Sequence, residues 1–308
     1  MRCVFLGTPG FAVPTLEALI AAGHEVVSVV SQPDRPRGRG RQLTASPVKE
    51  AALRHGLPVY QPERIRRPEA VAALAALAPD VMIVVGYGQI IPQAVIDIPL
   101  HGIINVHGSL LPKYRGAGPV QWAIANGETR TGVTTMRIDA GLDTGDMLLK
   151  AETGIGPDET AVELGARLAT MGAALLVETL AHIDTITPEK QDSDAATYAP
   201  LLKKEDGLID WSGPAQSIHN RVRGFQPWPG AYTRFRGQQL HIWKSRVAAA
   251  ESVVPIVPGQ LLLHPLRAVS GDGSLELIEV QLEGRKRIAG EAFANGQRIA
   301  AAGILGES

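Results

Sequence analysis

The sequence predicts an α/β domain with a mostly parallel sheet, followed by a small β-barrel or sandwich. Three observations carry this. Short apolar runs alternate with helix-like strings through the first part of the chain, a polar aperiodic segment then interrupts the pattern, and beyond it only short β-like runs between turn residues remain. Helical strings lying between short strands imply parallel pairing through right-handed crossovers. At 308 residues the chain is long for one hydrophobic core, so two domains are expected.

The elements follow in order. CVFLG (3–7) reads as a short buried strand and FAVPTLEALIAAG (11–23) as a helix stopped by Gly23. EVVSVVS (25–31) is the next strand, and SPVKEAALRHG (46–56) a helix with Ser46 as N-cap and Pro47 at its first position. LPVYQ (57–61), VMIVVGYG (81–88), GIINVH and VTTMRI (133–138) read as strands, and EAVAALAALA (69–78) as an Ala-rich helix. A long amphipathic helix, 163–183, closes this half. The polar stretch 186–207 lacks periodicity, which sets the expected boundaries at 1–189 for the first domain, 190–207 for a linker and 208–308 for the second. YTRF, LHIWKSRV, GQLLLHP, LELIEVQLEG and RIAGEAF are the β-like runs of that second domain.

Composition excludes several classes. Hydrophobic residues make up 45% and charged residues 20%, ordinary for a globular protein, and the net charge of -1 leaves nucleic-acid contact to local patches. The single cysteine, Cys3, permits no intrachain disulfide and fits a reducing compartment. The apolar start is cut short by GTPG, and no run reads as a membrane span, so a cytoplasmic protein is expected. GTPGFA fails the G-x-G-x-x-G fingerprint and no acidic residue ends the second strand, so no nicotinamide or flavin site is expected.

The chemistry concentrates in NVHGSLLPKYRGAGPVQWA, which begins at Asn105. Asn105 and His107 are two apart, so on a strand their side chains share one face, and the C-terminal edge of an open α/β sheet is where sites form. A carboxylate beside an imidazole can orient it and favour its charged form. RIDAGLDTGDML offers Asp139, Asp143 and Asp146, and spacing alone does not choose among them; all three also suit turns. His107 has no companion ligands in number, so no metal is expected. The insert SQPDRPRGRGRQLTASPVK sets Arg35, Arg37, Arg39, Arg41 and Lys49 against Asp34, a solvated basic loop or a phosphate contact. Between 209 and 246, Arg221, Arg223, Arg234, Arg236, Lys244 and Arg246 face one acid, Asp210, with interleaved aromatics that read mostly as core.

These segments, together with VFLGTPGFA, VVGYGQIIP, LLKKEDGLIDW and NRVRGFQPWPGAYT, resemble the 10-formyltetrahydrofolate-dependent formyltransferase family over most of positions 3 to 246. The resemblance implies a Rossmann-like catalytic domain and a small, OB-like C-terminal β-barrel that binds tRNA. It implies Asn105, His107 and Asp143 as the catalytic set, the last being the Asp of the GLDTG loop. It places the folate against Ser109, Leu110, Leu111 and Pro112, against Gly86, Tyr87, Gly88, Gln89 and Ile90, and near Asp139. The formyl donor would be 10-formyltetrahydrofolate, with neither metal nor NAD. The basic insert points within the family to members whose substrate is initiator methionyl-tRNA, read by Arg35, Arg37, Arg39 and Arg41 and by Arg221 and Arg223, with Arg39 foremost. A monomer is expected. Two other readings stay open: a formyltransferase or formyltetrahydrofolate hydrolase acting on a small amine or water, and a non-catalytic RNA- or folate-binding protein.

Overall fold

The computed structural model describes residues 1–37, 42–248, 257–299 and 303–306. The chain forms two compact units. The first comprises Met1–Pro119, Arg130–Thr153 and Gly165–Pro200, and the second Val120–Thr129, Gly154–Leu164 and Leu201–Ser308.

The first unit follows the expected alternation. In chain order it runs β1 (Arg2–Gly7), α1 (Val13–Ala21), β2 (Glu25–Val30), β3 (Arg35–Arg37), β4 (Gln42–Thr44), α2 (Pro47–Arg54), β5 (Val59–Tyr60), α3 (Pro68–Ala76), β6 (Val81–Val85), α4 (Gln93–Ile96) and β7 (Ile103–His107). Past α5 (Pro119–Ala125), whose residues after Pro119 belong to the second unit, come β8 (Arg130–Arg137), β9 (Met147–Gly154) and α6 (Ala161–Ala181). The main sheet has the order β5-β2-β1-β6-β7-β8-β9. Pairing is parallel from β5 through β7 and turns antiparallel at β7–β8, where Ile104 faces Arg137 and His107 faces Thr134. At α2 the local chemistry is legible: Pro47 opens the helix and the Ser46 hydroxyl accepts from the Lys49 amide at 3.1 Å.

Period-two alternation sorts the strands between two cores, which is why they read as unbroken apolar runs. Cys3, Phe5, Ile83, Val85, Ile104 and Val106 pack on one face with Leu16, Leu19, Leu176 and Leu180. Val4, Leu6, Met82, Val84 and Ile103 pack on the other with Leu74 and Tyr87. Asn105 and His107 therefore project to the face of Ile103, away from α6. Against the expectation that no segment approaches a membrane span, α6 is long and apolar enough to cross a bilayer; half of that stretch is buried, with Leu176 and Leu180 in the sheet's core.

The aperiodic polar segment after α6 carries backbone pairing that its side chains do not announce. Met147 and Glu189 exchange two bonds of 2.8 Å, the Arg115 amide donates to the Thr197 carbonyl at 2.8 Å, and the Ala199 amide donates to the Arg115 carbonyl at 2.7 Å.

In the second unit, α7 (Ala215–Gly224) precedes β10 (Ala231–Phe235), β11 (Gln238–Ala248), β12 (Leu261–Leu262), β13 (Arg267–Val269), β14 (Ser274–Leu282), β15 (Ile288–Ala289) and α8 (Gly290–Gly296). The strands form an antiparallel sheet in the order β10-β11-β14-β13-β12, with β15 on β14, which curls toward a barrel without closing. Register breaks between Ile242 and Ser245 mark where β11 bends. Trp211, Phe235, Leu240, Ile242, Leu277, Val280 and Phe293 fill its core; of the interleaved aromatics Trp211, Phe225 and Phe235 are buried, Tyr232 and Trp243 half-buried, and Trp228 is 54% exposed.

Candidate active site

Asn105 and His107 occupy the third and fifth positions of β7 and are only 8% and 6% exposed. Buried polar groups need partners, and their identity fixes the site. The His107 Nε2 atom lies 2.9 Å from the Tyr114 carbonyl oxygen. A carbonyl only accepts, so Nε2 carries the hydrogen and donates it, leaving Nδ1 to face outward from that bond. Nδ1 sits 3.7 Å from Asp143 Oδ2, within ionic reach but beyond a direct hydrogen bond. Asp143 Oδ1 accepts from Asn105 Nδ2 at 3.4 Å, and Oδ2 accepts from the Gly116 amide at 2.8 Å.

Of the three aspartates that spacing left open, Asp143 is the one the structure brings beside His107. Asp139 is exposed and holds its own loop, accepting from the Gly141 amide at 3.0 Å and from the Thr144 hydroxyl at 2.7 Å. Asp143 has a φ of +52°, the left-handed region that costs a residue with a Cβ, and Asp tolerates it better than most. Gly116 meets Asp143 with a φ of +114°, where a Cβ would also lie 2.7 Å from the Ala199 carbonyl oxygen.

The SLLP loop is stapled to β8. The Thr134 hydroxyl donates to the Ser109 carbonyl at 2.7 Å and accepts from the Leu111 amide at 3.1 Å, while the Ser109 hydroxyl donates to the Lys113 carbonyl at 2.6 Å. Leu111 is buried with Met136 and Met147, and Leu110 and Pro112 are half-buried. In the loop after β6, Gly86 and Gly88 take positive φ. Tyr87 points inward, 1% exposed, and burial pushes its hydroxyl up to about 12. Its carbonyl accepts from Thr8 Oγ1 at 3.0 Å and Gln32 Nε2 at 3.2 Å, so the GTPG turn braces this loop. Gln89 Oε1 accepts from the Ile65 amide at 2.8 Å, and Ile90 stands 91% exposed. Cys3 is fully buried and its thiol is pushed up to about 11, chiefly by burial, which withholds the thiolate a nucleophile requires. Among the described residues, no three His, Cys, Asp or Glu side chains cluster as a metal site.

The basic insert begins as a two-stranded ribbon, β3 against β4. Lys49 is engaged at its root, 2.6 Å from Asp34 and 2.8 Å from Gln61; hydrogen bonds from Gln61 and Lys49 hold the Asp34 carboxyl below the usual range. Arg35 is exposed, while Arg39, Arg41 and the side chain of Arg37 lie outside the described residues. In the second unit, Arg221 is exposed on α7, 5.7 Å from the centre of the Phe225 ring. Arg223 corrects the expectation of a surface cation. It is 6% exposed, with its guanidinium bonded to Asn220 Oδ1 at 2.9 Å and to the Gly156 and Glu159 carbonyls at 3.1 and 3.2 Å.

The structure brings Asn105, His107 and Asp143 together, and beside them stand groups that sequence reasoning missed: the Tyr114 carbonyl, the Gly116 amide and the Arg115–Gln191 pair. Only the glycine at 116 gave a signal, as a position where backbone approaches backbone.

An Asn–His–Asp cluster, its Asn and His buried, stands on a mostly parallel sheet followed by an antiparallel barrel-like unit, and the family matches give the class, a formyl transferase. Residues 1–180 match the family described as formyl transferase, and residues 201–298 its C-terminal domain. The chain belongs to this family, and within it to the methionyl-tRNA formyltransferases. Proteins of that name from Solibacter usitatus (strain Ellin6076) and Koribacter versatilis (strain Ellin345) are 68% and 56% identical to it, aligning over 100% and 99% of this chain and 99% of each relative. An N-formyltransferase from Helicobacter canadensis, solved in complex with folinic acid and dTDP-3-aminofucose, shares the fold with a TM-score of 0.67 at 18% identity, over 94% of this chain and 100% of that one. HypX from Aquifex aeolicus, solved with tetrahydrofolic acid, gives a TM-score of 0.65 at 17% identity, over 96% of this chain and 47% of its own.

Proposed function

We propose that the protein transfers a formyl group from 10-formyltetrahydrofolate to the α-amino group of methionine on initiator methionyl-tRNA, in the cytoplasm and as a monomer. The convergence of Asn105, His107 and Asp143 carries this reading. The amine attacks the formyl carbon, a C–N bond forms, and the bond to N10 of the donor breaks. Negative charge gathers on the formyl oxygen as the carbon becomes tetrahedral, and the Asn105 amide donates to it. His107, held through Nε2 by Tyr114, presents Nδ1 on the side of Asp143. Asp143 orients that imidazole and passes the proton lost by the amine toward the departing nitrogen. A free α-amino group titrates at about 7.7–8.0 and esterification lowers it further, so much of the substrate is already nucleophilic at neutral pH. No covalent enzyme intermediate is required.

The residues fit a flat heterocyclic donor. Ile90 and Leu110 offer apolar surface, and the glycines at 86 and 88 bare their backbone groups. Ser109 and Leu111 anchor the loop that carries Leu110 and Pro112, Tyr87 and Gln89 brace the loop after β6, and Asp139 holds the turn carrying Asp143. Arg35, Arg37, Arg39, Arg41 and Arg221 supply the cations for tRNA phosphates. The test is transfer of labelled formyl from 10-formyltetrahydrofolate to charged initiator tRNA, with charged elongator tRNA alongside. The expected result is rapid labelling of the initiator only. Labelling of free amines or release of formate in preference to tRNA labelling would favour the small-amine or hydrolase reading instead.

A further inference from the structure

We infer that Gln191, aligned by Arg115, is a positioning residue for Asp143; this rests on the reading of Asp143 as the carboxylate of the reaction. The Gln191 Nε2 group donates to two carbonyls of the same loop, those of Asp143 and Gly145, each at 2.8 Å. Drawing two carbonyls two residues apart onto one amide fixes the chain between them, including the left-handed turn at Asp143. An amide can face either way, and Arg115 decides. Its Nε donates to Gln191 Oε1 at 3.0 Å, and a guanidinium never accepts, so the NH2 end must face the loop.

Arg115 is 3% exposed and is itself locked by backbone pairing to Thr197 and Ala199. Residues 114 to 116 then serve three partners in succession. The Tyr114 carbonyl orients His107, the Arg115 guanidinium orients Gln191, and the Gly116 amide binds the Asp143 carboxylate. Gln191 restrains the main chain of Asp143 and Gly116 its side chain. Without Gln191 the loop keeps Asp139's internal bonds but loses its tether, and the carboxylate drifts from His107 Nδ1. A displacement of about 1 Å in such a group can cost a hundredfold in rate.

Two variants test this. Gln191→Glu keeps the shape and the acceptor facing Arg115 but removes both donors; Gln191→Ala removes everything. Each is measured for kcat and donor KM, alone and on the Asp143→Asn background. Acting through Asp143, either change lowers kcat about tenfold or more, leaves donor KM nearly unchanged, and costs almost nothing further once Asp143 is already disabled. Three outcomes overturn the inference: wild-type kcat in both variants, a loss that persists undiminished on the Asp143→Asn background, or failure of both variants to fold, which assigns Gln191 to the scaffold. If Asp143→Asn alone turns over normally, the role of Asp143 fails instead, and the two failures are thereby told apart.

Discussion

The cluster around His107 and the basic surfaces of the same chain solve opposite problems. Asn105 and His107 are buried, and Asp143 is held by Asn105 and the Gly116 amide, so the chemistry proposed for them rests on exact placement. Arg35 and Arg221 stand in solvent, where a cation needs only sign and reach to meet a phosphate. Arg223 shows the boundary between the two regimes. It is two residues from Arg221, yet its guanidinium is bonded to Asn220 and two carbonyls, and it has become a structural group. Neighbours in sequence on one helix can thus belong to different kinds of function.

The largest effects should follow from breaking the positional region. His107→Ala and Asn105→Ala are each expected to lower kcat about 10²-fold or more with the fold intact. Asp143→Asn should cost a similar factor, whereas Asp139→Asn keeps an acceptor for Thr144 and Gly141 and should cost far less. The check is steady-state formylation of charged tRNA. Crippling at 139 with normal turnover at 143 would reverse the assignment.

How much of this was readable beforehand differs between the regions. The Asn-x-His pair was legible because a strand has a two-residue period, and α2 because Ser46 and Pro47 cap it by local rules. The antiparallel turn at β8 was not, since apolar runs look alike in either direction. Nor was the fastening of Gln191, because a polar segment bonded through its backbone and one amide has no periodicity to read. Burial of Arg223 was hidden for another reason: besides the nearby Asn220, its partners Gly156 and Glu159 lie far away in sequence.

Smaller effects sharpen the electrostatic side. Arg39→Ala should reduce kcat/KM for charged tRNA by about 1–3 kcal/mol while folate affinity, read by titration, stays level. Arg221→Ala should weaken tRNA binding and reduce the salt slope by about 1, while Arg223→Ala should leave that slope alone and lower the unfolding midpoint instead. An Arg223 variant as stable as wild type but with a shallower slope would return that residue to the surface.

The smallest expected effect is on acid stability. Burial lowers the pKa of His219, outweighing the Pro157 carbonyl and nearby Asp158 that pull it up, and burial also lowers His241. As pH falls through about 6.5 the unfolded chain takes up these protons first, so stability present above that value declines below it. The urea midpoint should fall between about pH 7 and pH 5, and His219→Gln should flatten part of that fall. An unchanged acid limb in the variant would remove His219 from the account.

The most direct measurement compares the salt dependence of formylation in wild type and His107→Ala, taking kcat at saturating tRNA and kcat/KM at each salt concentration. Rising salt is expected to lower kcat/KM steeply in both proteins with the same slope and to leave wild-type kcat nearly unchanged. His107→Ala should depress kcat alone, by the same factor at every salt concentration. A slope that changes with His107→Ala, or a wild-type kcat/KM that stays flat with salt, would contradict the division between a positional site and an electrostatic one.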